Sequence, residues 1–435
     1  MSVFTGSHSA FSGAVSFARV EWRWLLTGLL LAFGSSFGQT YFISLSGAEI
    51  RATFDLSHGG FGLIYTIATT ASALVLLRYG GIVDRYPVRW LAVATAVALG
   101  LGCLVMAAAQ HLVVLVLALF LLRLFGQGMM SHIALTAMGR WYSARRGRAV
   151  AVATLGFPVG EALWPLVVVG VIAAVGWRTS WVMAAALMIL VAAPLFYWIA
   201  RQERTPLNPV PADGAAATDE ICGRFHWRAE DVRRDWLFAA LLPGVLAPAF
   251  MATAVYFHQA YIAEVKGWSI ATIAASYPVF AFCSVVSGAT VGFLVDWFSA
   301  RRVLPFALLP LAVGLVTLAL GDAPVASPLA FACFGLSAGC GATLAGTLWA
   351  ELYGIRHLGA VRAMVVALQV FATALGPSIT GGFFDFGVSV AAVLIAMAVW
   401  CLMASVGYVL CASALATRAS GAAPRNIGAC DMEGS

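Results

Sequence analysis

Apolar runs of about 20 residues recur along nearly the whole sequence, and this repetition constrains the fold more than any other feature. At a rise of 1.5 Å per residue, a helix of that length crosses a hydrocarbon core roughly 30 Å thick. The chain is 62% hydrophobic and 10% charged, whereas soluble domains are about 45–50% apolar and about 25% charged. A water-exposed surface cannot be built from this composition, so we expect an all-α polytopic membrane protein embedded in a lipid bilayer.

Hydropathy predicts twelve transmembrane helices, at residues 24–46, 60–79, 90–109, 112–138, 147–172, 177–200, 237–262, 270–295, 303–321, 327–352, 360–384 and 387–415. The chain then divides into an N-terminal tail (1–23), a six-helix bundle (24–200), a polar linker (201–236), a second six-helix bundle (237–415) and a C-terminal tail (416–435). Twelve helices with short connections leave no room for a catalytic domain of about 100 residues or more. We therefore do not expect an enzyme.

Arginines follow every even-numbered predicted helix, whereas the opposite loops carry few basic residues. Lys and Arg accumulate on the cytoplasmic side of membranes, so this pattern predicts that both termini and the central linker are cytoplasmic. The net charge of +6 thus reports topology rather than a nucleic-acid partner. The first residues do not resemble a removable signal peptide, and the compact Ala/Gly-rich chain favours a bacterial inner membrane.

The two halves resemble each other at an offset of about 211 residues. The segment Gly80-Gly81-Ile82-Val83-Asp84-Arg85-Tyr86-Pro87-Val88-Arg89 matches Gly292, Asp296 and Arg301 in spacing. This segment resembles the loop signature of the major facilitator superfamily, although Pro87 and Ser299 stand where that family usually has glycine. The resemblance implies two six-helix pseudo-repeats with a solute site near the midplane.

The same resemblance implies a cytoplasmic gate. Asp84 would bind the start of the eleventh helix near Arg362, because a helix N-terminus favours an anion. Asp296 would do the same against the fifth helix near Arg148. Gly80 allows two helices to approach closely, and arginines would hold the neighbouring helix ends, namely Arg85, Arg89 and Arg301. A plain loop with solvated charges is the alternative.

Arg123 and Glu161 are the best candidates for a site, because both fall near the predicted midplane of the fourth and fifth helices. An ionisable group there costs about 2.5–3.5 kcal/mol on insertion scales and must have a compensating role. In one interpretation Arg123 binds an anionic group of the solute while Glu161 exchanges a proton. In the other, the two side chains form a structural ion pair that holds the helices together.

Further candidates are polar or aromatic side chains on the predicted helices. His132 falls in the cytoplasmic half of the fourth helix, and Trp164 stands beside Glu161 on the fifth. Toward the outer end lie Tyr256, His258 and Gln259 of the seventh helix, with Gln39 and Tyr41 of the first helix at comparable depth. His132 could relay protons or could be a structural histidine. Tyr256 could line the cavity or belong to the interfacial aromatic belt. The sequence shows no metal cluster, no catalytic nucleophile with a base and no nucleotide motif, so we expect no cofactor and no direct use of ATP.

The sequence therefore favours a monomeric secondary active transporter of a small organic solute, coupled to H⁺ and leaning toward an organic anion. The stretch from Glu351 to Arg362, with Gly376-Pro377 beyond it, resembles the monocarboxylate and oxalate/formate branches of the superfamily. The fifth helix has the glycine spacing of the family's antiporter signature, but Glu161 and Trp164 replace its ending. A drug or metabolite exporter is the first alternative, and a membrane sensor or scaffold that does not transport is the second.

Overall fold

The computed structural model describes residues 21–142, 146–202 and 227–419, and across these ranges the chain is helical without strands. We label the membrane helices in chain order: α1 (21–34), α2 (His58–Tyr79), α3 (Val88–Ala108), α4 (Leu112–Trp141), α5 (Gly147–Val175), α6 (Trp177–Ile199), α7 (Trp236–Phe257), α8 (Ile270–Phe298), α9 (Ala300–Leu320), α10 (Ala326–Tyr353), α11 (Leu358–Asp385) and α12 (Val390–Leu410). Within the described chain, the eleven from α2 to α12 are long and apolar enough to cross a membrane. Composition thus predicted the architecture correctly.

The first predicted helix, 24–46, is wrong in its second half. The α1 helix ends at residue 34 and continues as a 3₁₀ turn, Ser35–Gly38, followed by short helices at Thr40–Ile43 and Gly47–Phe54. Hydropathy measures only how apolar a window is, so it passed over this break. The last predicted helix, 387–415, is also divided, because Cys411 separates α12 from a short helix at Ala412–Ala419.

Each of the other ten predicted helices overlaps an observed helix. Their ends differ by a few residues, and the seventh is interrupted at His258, after which a short helix runs over Gln259–Val265. Most of each predicted tail and part of the linker lie outside the described residues. Of the linker, the structure describes a short helix at Ala229–Arg234.

The described chain forms two compact units. One contains the residues up to 202 together with Tyr256–Pro278 and Pro377–Asp385, and the other contains the rest. In the first unit α3 packs against α4 and α6, and in the second α9 packs against α10 and α12. These are equivalent helices of the two halves, as a six-helix pseudo-repeat requires.

A buried ionic cluster in the second unit links the residue before α7 to the short helix at Ala412–Ala419. Asp235 precedes α7 and accepts hydrogen bonds from Arg418 Nη2 at 2.7 Å and from the Tyr353 hydroxyl at 2.9 Å. The Arg418 guanidinium also lies 4.1 Å from the centre of the Trp227 ring. Because the Asp235 side chain is 2% exposed, its charge depends on these partners.

We expect Arg418→Ala to lower the free energy of unfolding by about 1–3 kcal/mol, because it leaves the buried Asp235 carboxylate without its positive partner and with only the Tyr353 hydroxyl and the Leu237 N–H as donors. Thermal unfolding of the purified protein in detergent measures the effect. Arg302→Ala is the matched control, since the Arg302 side chain is exposed and bonds to no other described residue. Equal unfolding temperatures for both variants would contradict this role for Arg418.

Candidate functional site

The site is organised around the break that follows α1. The segment Gly34-Ser35-Ser36-Phe37-Gly38 is poor in helix formers, and serine hydroxyls compete with the helix by bonding to nearby carbonyls. The Ser35 hydroxyl donates to Ala32 O at 2.6 Å, and Gln39 adopts an extended conformation with φ −78° and ψ 151°. The carbonyl of Gly38 consequently has no helical partner, because Phe42 N bonds to Gln39 O instead.

Arg123 supplies the missing partner. Its Nη1 donates to Gly38 O at 3.0 Å and its Nε donates to Thr69 Oγ1 at 3.1 Å. The guanidinium lies 5.1 Å from the centre of the Tyr65 ring, whose hydroxyl is 2.6 Å from Thr40 Oγ1. Arg123 is 3% exposed, so it acts as a buried clamp between α4, α2 and the break.

The α4 backbone is itself irregular at Arg123. Residues Leu122–Met130 form a π-helical segment, a feature that often marks functional sites in helices. A Cβ atom added to Gly126 would lie 2.6 Å from the Gly38 Cα atom. The two backbones therefore touch where Arg123 makes its bond, and only glycine fits at this crossing.

Glu161 reaches the same region from α5. A Cβ atom on the preceding residue, Gly160, would lie 2.2 Å from Ser36 Oγ, so α5 packs directly on the 3₁₀ turn. The Glu161 side chain is half-buried and forms no hydrogen bond or ion pair with any other described residue. It interacts electrostatically with three hydroxyl groups, those of Tyr41, Tyr256 and Tyr277.

The predicted ion pair between Arg123 and Glu161 is not formed. Arg123 bonds to Gly38 and Thr69, whereas Glu161 interacts electrostatically with the tyrosines. Adjacent helices in sequence do not place every inward side chain on a common line, because each helix turns by 100° per residue. Neither side chain has a charged partner within the described chain.

Aromatic rings form the wall beside Glu161. Tyr277 lies 5.6 Å from Tyr41 and 5.7 Å from Tyr256, measured between ring centres. Trp164, one turn beyond Glu161, packs at 4.7 Å from Phe37. Its indole Nε1 is buried without a hydrogen-bond acceptor among the described residues. A carboxylate, hydroxyl groups and a free N–H donor are thus set in an apolar wall, as in many small-molecule sites.

Gln259 ties the short helix after α7 to the break. Its Nε2 donates to Tyr41 O at 2.9 Å and to Ser44 Oγ at 2.8 Å, and its Oε1 accepts from the Tyr277 hydroxyl at 2.9 Å. The side chain is 1% exposed. Gln259 therefore holds the wall together, with its donors already used by the protein. Gln39, by contrast, is half-buried and makes only a long contact of 3.5 Å to Ser35 Oγ.

The two histidines singled out from the sequence bond to backbone carbonyls. His258 Nε2 donates to Pro377 O at 3.0 Å, and His132 Nε2 donates to Gly80 O at 3.1 Å. Each bond fixes the tautomer and the ring orientation. Both contacts match structural histidines.

The loop after α2 is held from within the first unit. Gly80 accepts from His132, Val83 O accepts from Arg140 Nη1, and the Arg89 guanidinium lies 3.5 Å from the centre of the Tyr197 ring. The remaining gate candidates of this unit, Asp84, Arg85 and Arg148, are exposed. Their part in a cytoplasmic gate remains a prediction.

The copy of this loop in the second unit uses a residue that the sequence did not mark as part of the gate. Glu351, near the end of α10, accepts from Ala300 N at 2.8 Å and pairs with Arg301 Nε at 3.5 Å. Arg301 Nη1 also donates to Ala416 O at 3.2 Å. Glu351 thus caps the N-terminus of α9. Asp296 and Arg362 are exposed, and their contacts in a gate also remain predicted.

Asp385 is a further residue that sequence reasoning missed. It ends α11 and accepts hydrogen bonds from Ser57 Oγ at 2.7 Å, His58 N at 3.0 Å and Gly59 N at 2.8 Å. It therefore caps the N-terminus of α2. The signal available in the sequence was Ser57 before an apolar run, a typical N-cap, but the sequence did not reveal a capping residue more than 300 positions away.

We expect Gln259→Ala to lower the free energy of unfolding by about 1–3 kcal/mol, because the variant leaves the Tyr277 hydroxyl, Ser44 and the Tyr41 carbonyl without this partner. Thermal unfolding in detergent measures it. Gln110→Ala is the matched control, because Gln110 is exposed. If Gln259→Ala unfolds at the wild-type temperature and only solute binding changes, Gln259 is a ligand-binding residue and not a tether.

Comparisons with known proteins bear on the fold of the chain. A bacterial homolog of the human lysosomal transporter Spinster, in an inward-facing and unoccupied conformation, is similar with a TM-score of 0.68 and 16% identity over 92% of this chain and 98% of that one. A mutant of the peptide transporter POT is similar with a TM-score of 0.64 and 14% identity over 90% and 94% of the two chains. Among curated protein sequences, none matches significantly. The family model of the Major Facilitator Superfamily matches residues 28–377, and the chain belongs to that family of membrane transporters.

Proposed function

We propose that this protein carries a small organic anion together with a proton across a bacterial inner membrane. It works as a monomer with both termini in the cytoplasm. The family fold implies secondary transport by alternating access. The observation that supports the finer proposal is the pair of uncompensated charges in the first unit, Arg123 and Glu161, which have no charged partner among the described residues.

The anion preference follows from Arg123. Its hydrogen bonds to Gly38 and Thr69 satisfy donors of the guanidinium, but neutral acceptors leave the positive charge uncompensated. An isolated charge at this depth is costly. A solute carboxylate entering the first unit lowers that cost, so the empty protein attracts anions over cations.

Proton coupling follows from Glu161. A lone carboxylate among aromatic side chains is costly when charged, and its neighbours Tyr41, Tyr256 and Tyr277 provide hydroxyl groups rather than a counter-charge. Binding a proton removes the cost. During the transport cycle Glu161 then moves between water-exposed and buried surroundings, and this movement couples proton binding to transport.

One observation favours the exporter as a second candidate. Trp164 and its neighbour Phe37, 4.7 Å apart, offer aromatic surface beside a carboxylate, and such surfaces also bind hydrophobic cations. Under this alternative Glu161 pairs with the cation and Arg123 is only a clamp.

We expect carboxylates to stabilise the wild type but not Arg123→Gln, because the variant removes the positive charge. The measurement is the ligand-induced shift in unfolding temperature with a panel of monocarboxylates, dicarboxylates, neutral solutes and hydrophobic cations. A ligand at 100 times its Kd adds about 2.7 kcal/mol of stability, and we expect none of this gain in the variant.

Thr69→Val is the matched control for the clamp. It removes the acceptor of the Arg123 Nε bond and keeps the charge, so its carboxylate response should persist even if the protein is less stable. Loss of the response in both variants would reduce Arg123 to a structural clamp. A response to hydrophobic cations alone would favour the exporter.

We expect Glu161→Gln to abolish uphill accumulation of the solute in proteoliposomes with an imposed pH gradient and to retain exchange of labelled for unlabelled solute. Exchange requires no net proton release, whereas accumulation does. Glu264→Gln is the matched control, because Glu264 is exposed. Normal accumulation by Glu161→Gln would show that another group carries the proton.

A further inference from the structure

The second unit contains a cavity of about 280 Å³. It lies among α7, α9, α10, α11 and α12, and its described lining carries no charged side chain. For comparison, an engineered apolar cavity of roughly 150 Å³ binds benzene. The space in this unit is large enough for a bicyclic molecule.

Small residues on α10 leave this space open. Glycine in membrane helices usually lets a neighbouring helix approach, and Gly244 on α7 follows that rule, because a Cβ atom there would lie 2.1 Å from the Tyr408 hydroxyl. Gly341 does not, since no atom lies within 4 Å of the position of its Cβ. Its missing side chain therefore leaves room for a guest rather than for a helix.

The polar side chains of the lining differ in whether the protein supplies them with a hydrogen-bond partner. The Ser337 hydroxyl donates to Ala307 O at 3.0 Å and the Tyr408 hydroxyl donates to Leu241 O at 3.2 Å. Gln369 on α11 makes no side-chain hydrogen bond to any other described residue. A guest in this cavity is thus offered mostly apolar walls and the free amide of Gln369.

We propose that this cavity is a binding site for an uncharged, mostly apolar small molecule that carries one hydrogen-bonding group, which Gln369 recognises. Arg123 and Glu161 belong to the first unit, whereas every residue of this lining belongs to the second. A charged solute finds no counter-charge here. A lipid acyl chain would fill the space but offers nothing to the amide, so we assign the cavity to a small molecule from solution.

Two probes of the same shape test this assignment: 2-naphthol, which carries a hydroxyl, and naphthalene, which does not. 2-Naphthol should raise the unfolding temperature of the wild type more than naphthalene does. Gly341→Leu fills the cavity and should remove the 2-naphthol shift. Gly346→Leu, the same change at an open position of α10 outside the lining, should keep it.

Gln369→Leu tests the polar contact. It should weaken 2-naphthol binding about tenfold, which corresponds to about 1.4 kcal/mol, and leave naphthalene unaffected. Equal shifts from both probes in the wild type, or an unchanged 2-naphthol shift in Gly341→Leu, would overturn the proposal. Each variant is also measured with carboxylates, whose response depends on Arg123, so failure of this site is distinguishable from failure of the proposed transport function.

Discussion

The first unit depends on how the break after α1 is satisfied. A helix interrupted at membrane depth exposes backbone groups that hydrocarbon cannot solvate, so the protein must supply their partners. Arg123 donates to Gly38 O on one part of the break, and Gln259 donates to Tyr41 O on another. These two bonds fix the path of residues 35–46. The wall around Glu161 is assembled on that path.

Because Arg123 bonds to the break after α1, it does not pair with Glu161. Arg123 is committed to backbone and hydroxyl acceptors, and Glu161 interacts with phenol groups and has no basic partner among the described residues. An Arg–Glu pair would neutralise both charges permanently and would leave neither free to respond to a solute or a proton. Two separate charges can each be neutralised by a different species, which is what the proposed coupling of a solute to a proton requires.

In the second unit, by contrast, two acidic side chains have arginine partners. Glu351 caps α9 and pairs with Arg301, and Asp235 pairs with Arg418, so these ionic groups serve structure at the chain ends and loops. The cavity in this unit has no charged side chain in its described lining, and small residues keep it open. The two halves are built from one repeat, yet one contains uncompensated charges and the other an uncharged cavity.

Composition and hydropathy predicted the fold well, because each membrane helix must satisfy its backbone within its own segment. They missed the break after α1, although Gly34, Ser35, Ser36 and Gly38 signalled it. They identified Arg123, Glu161 and Trp164 as candidates because ionisable and polar side chains in long apolar runs are visible in one dimension.

The sequence by itself determined the membrane class, the all-helical fold and the repeat, and it singled out Arg123 and Glu161 as candidates, since all of these depend on local composition and spacing. Only the tertiary structure decided that Arg123 clamps Gly38, that Glu161 interacts electrostatically with Tyr277 and that Asp385 caps α2. Those partners are set by the rotation and crossing of helices distant in sequence. Helix rotation depends on side-chain packing between neighbours, and no single segment carries that information.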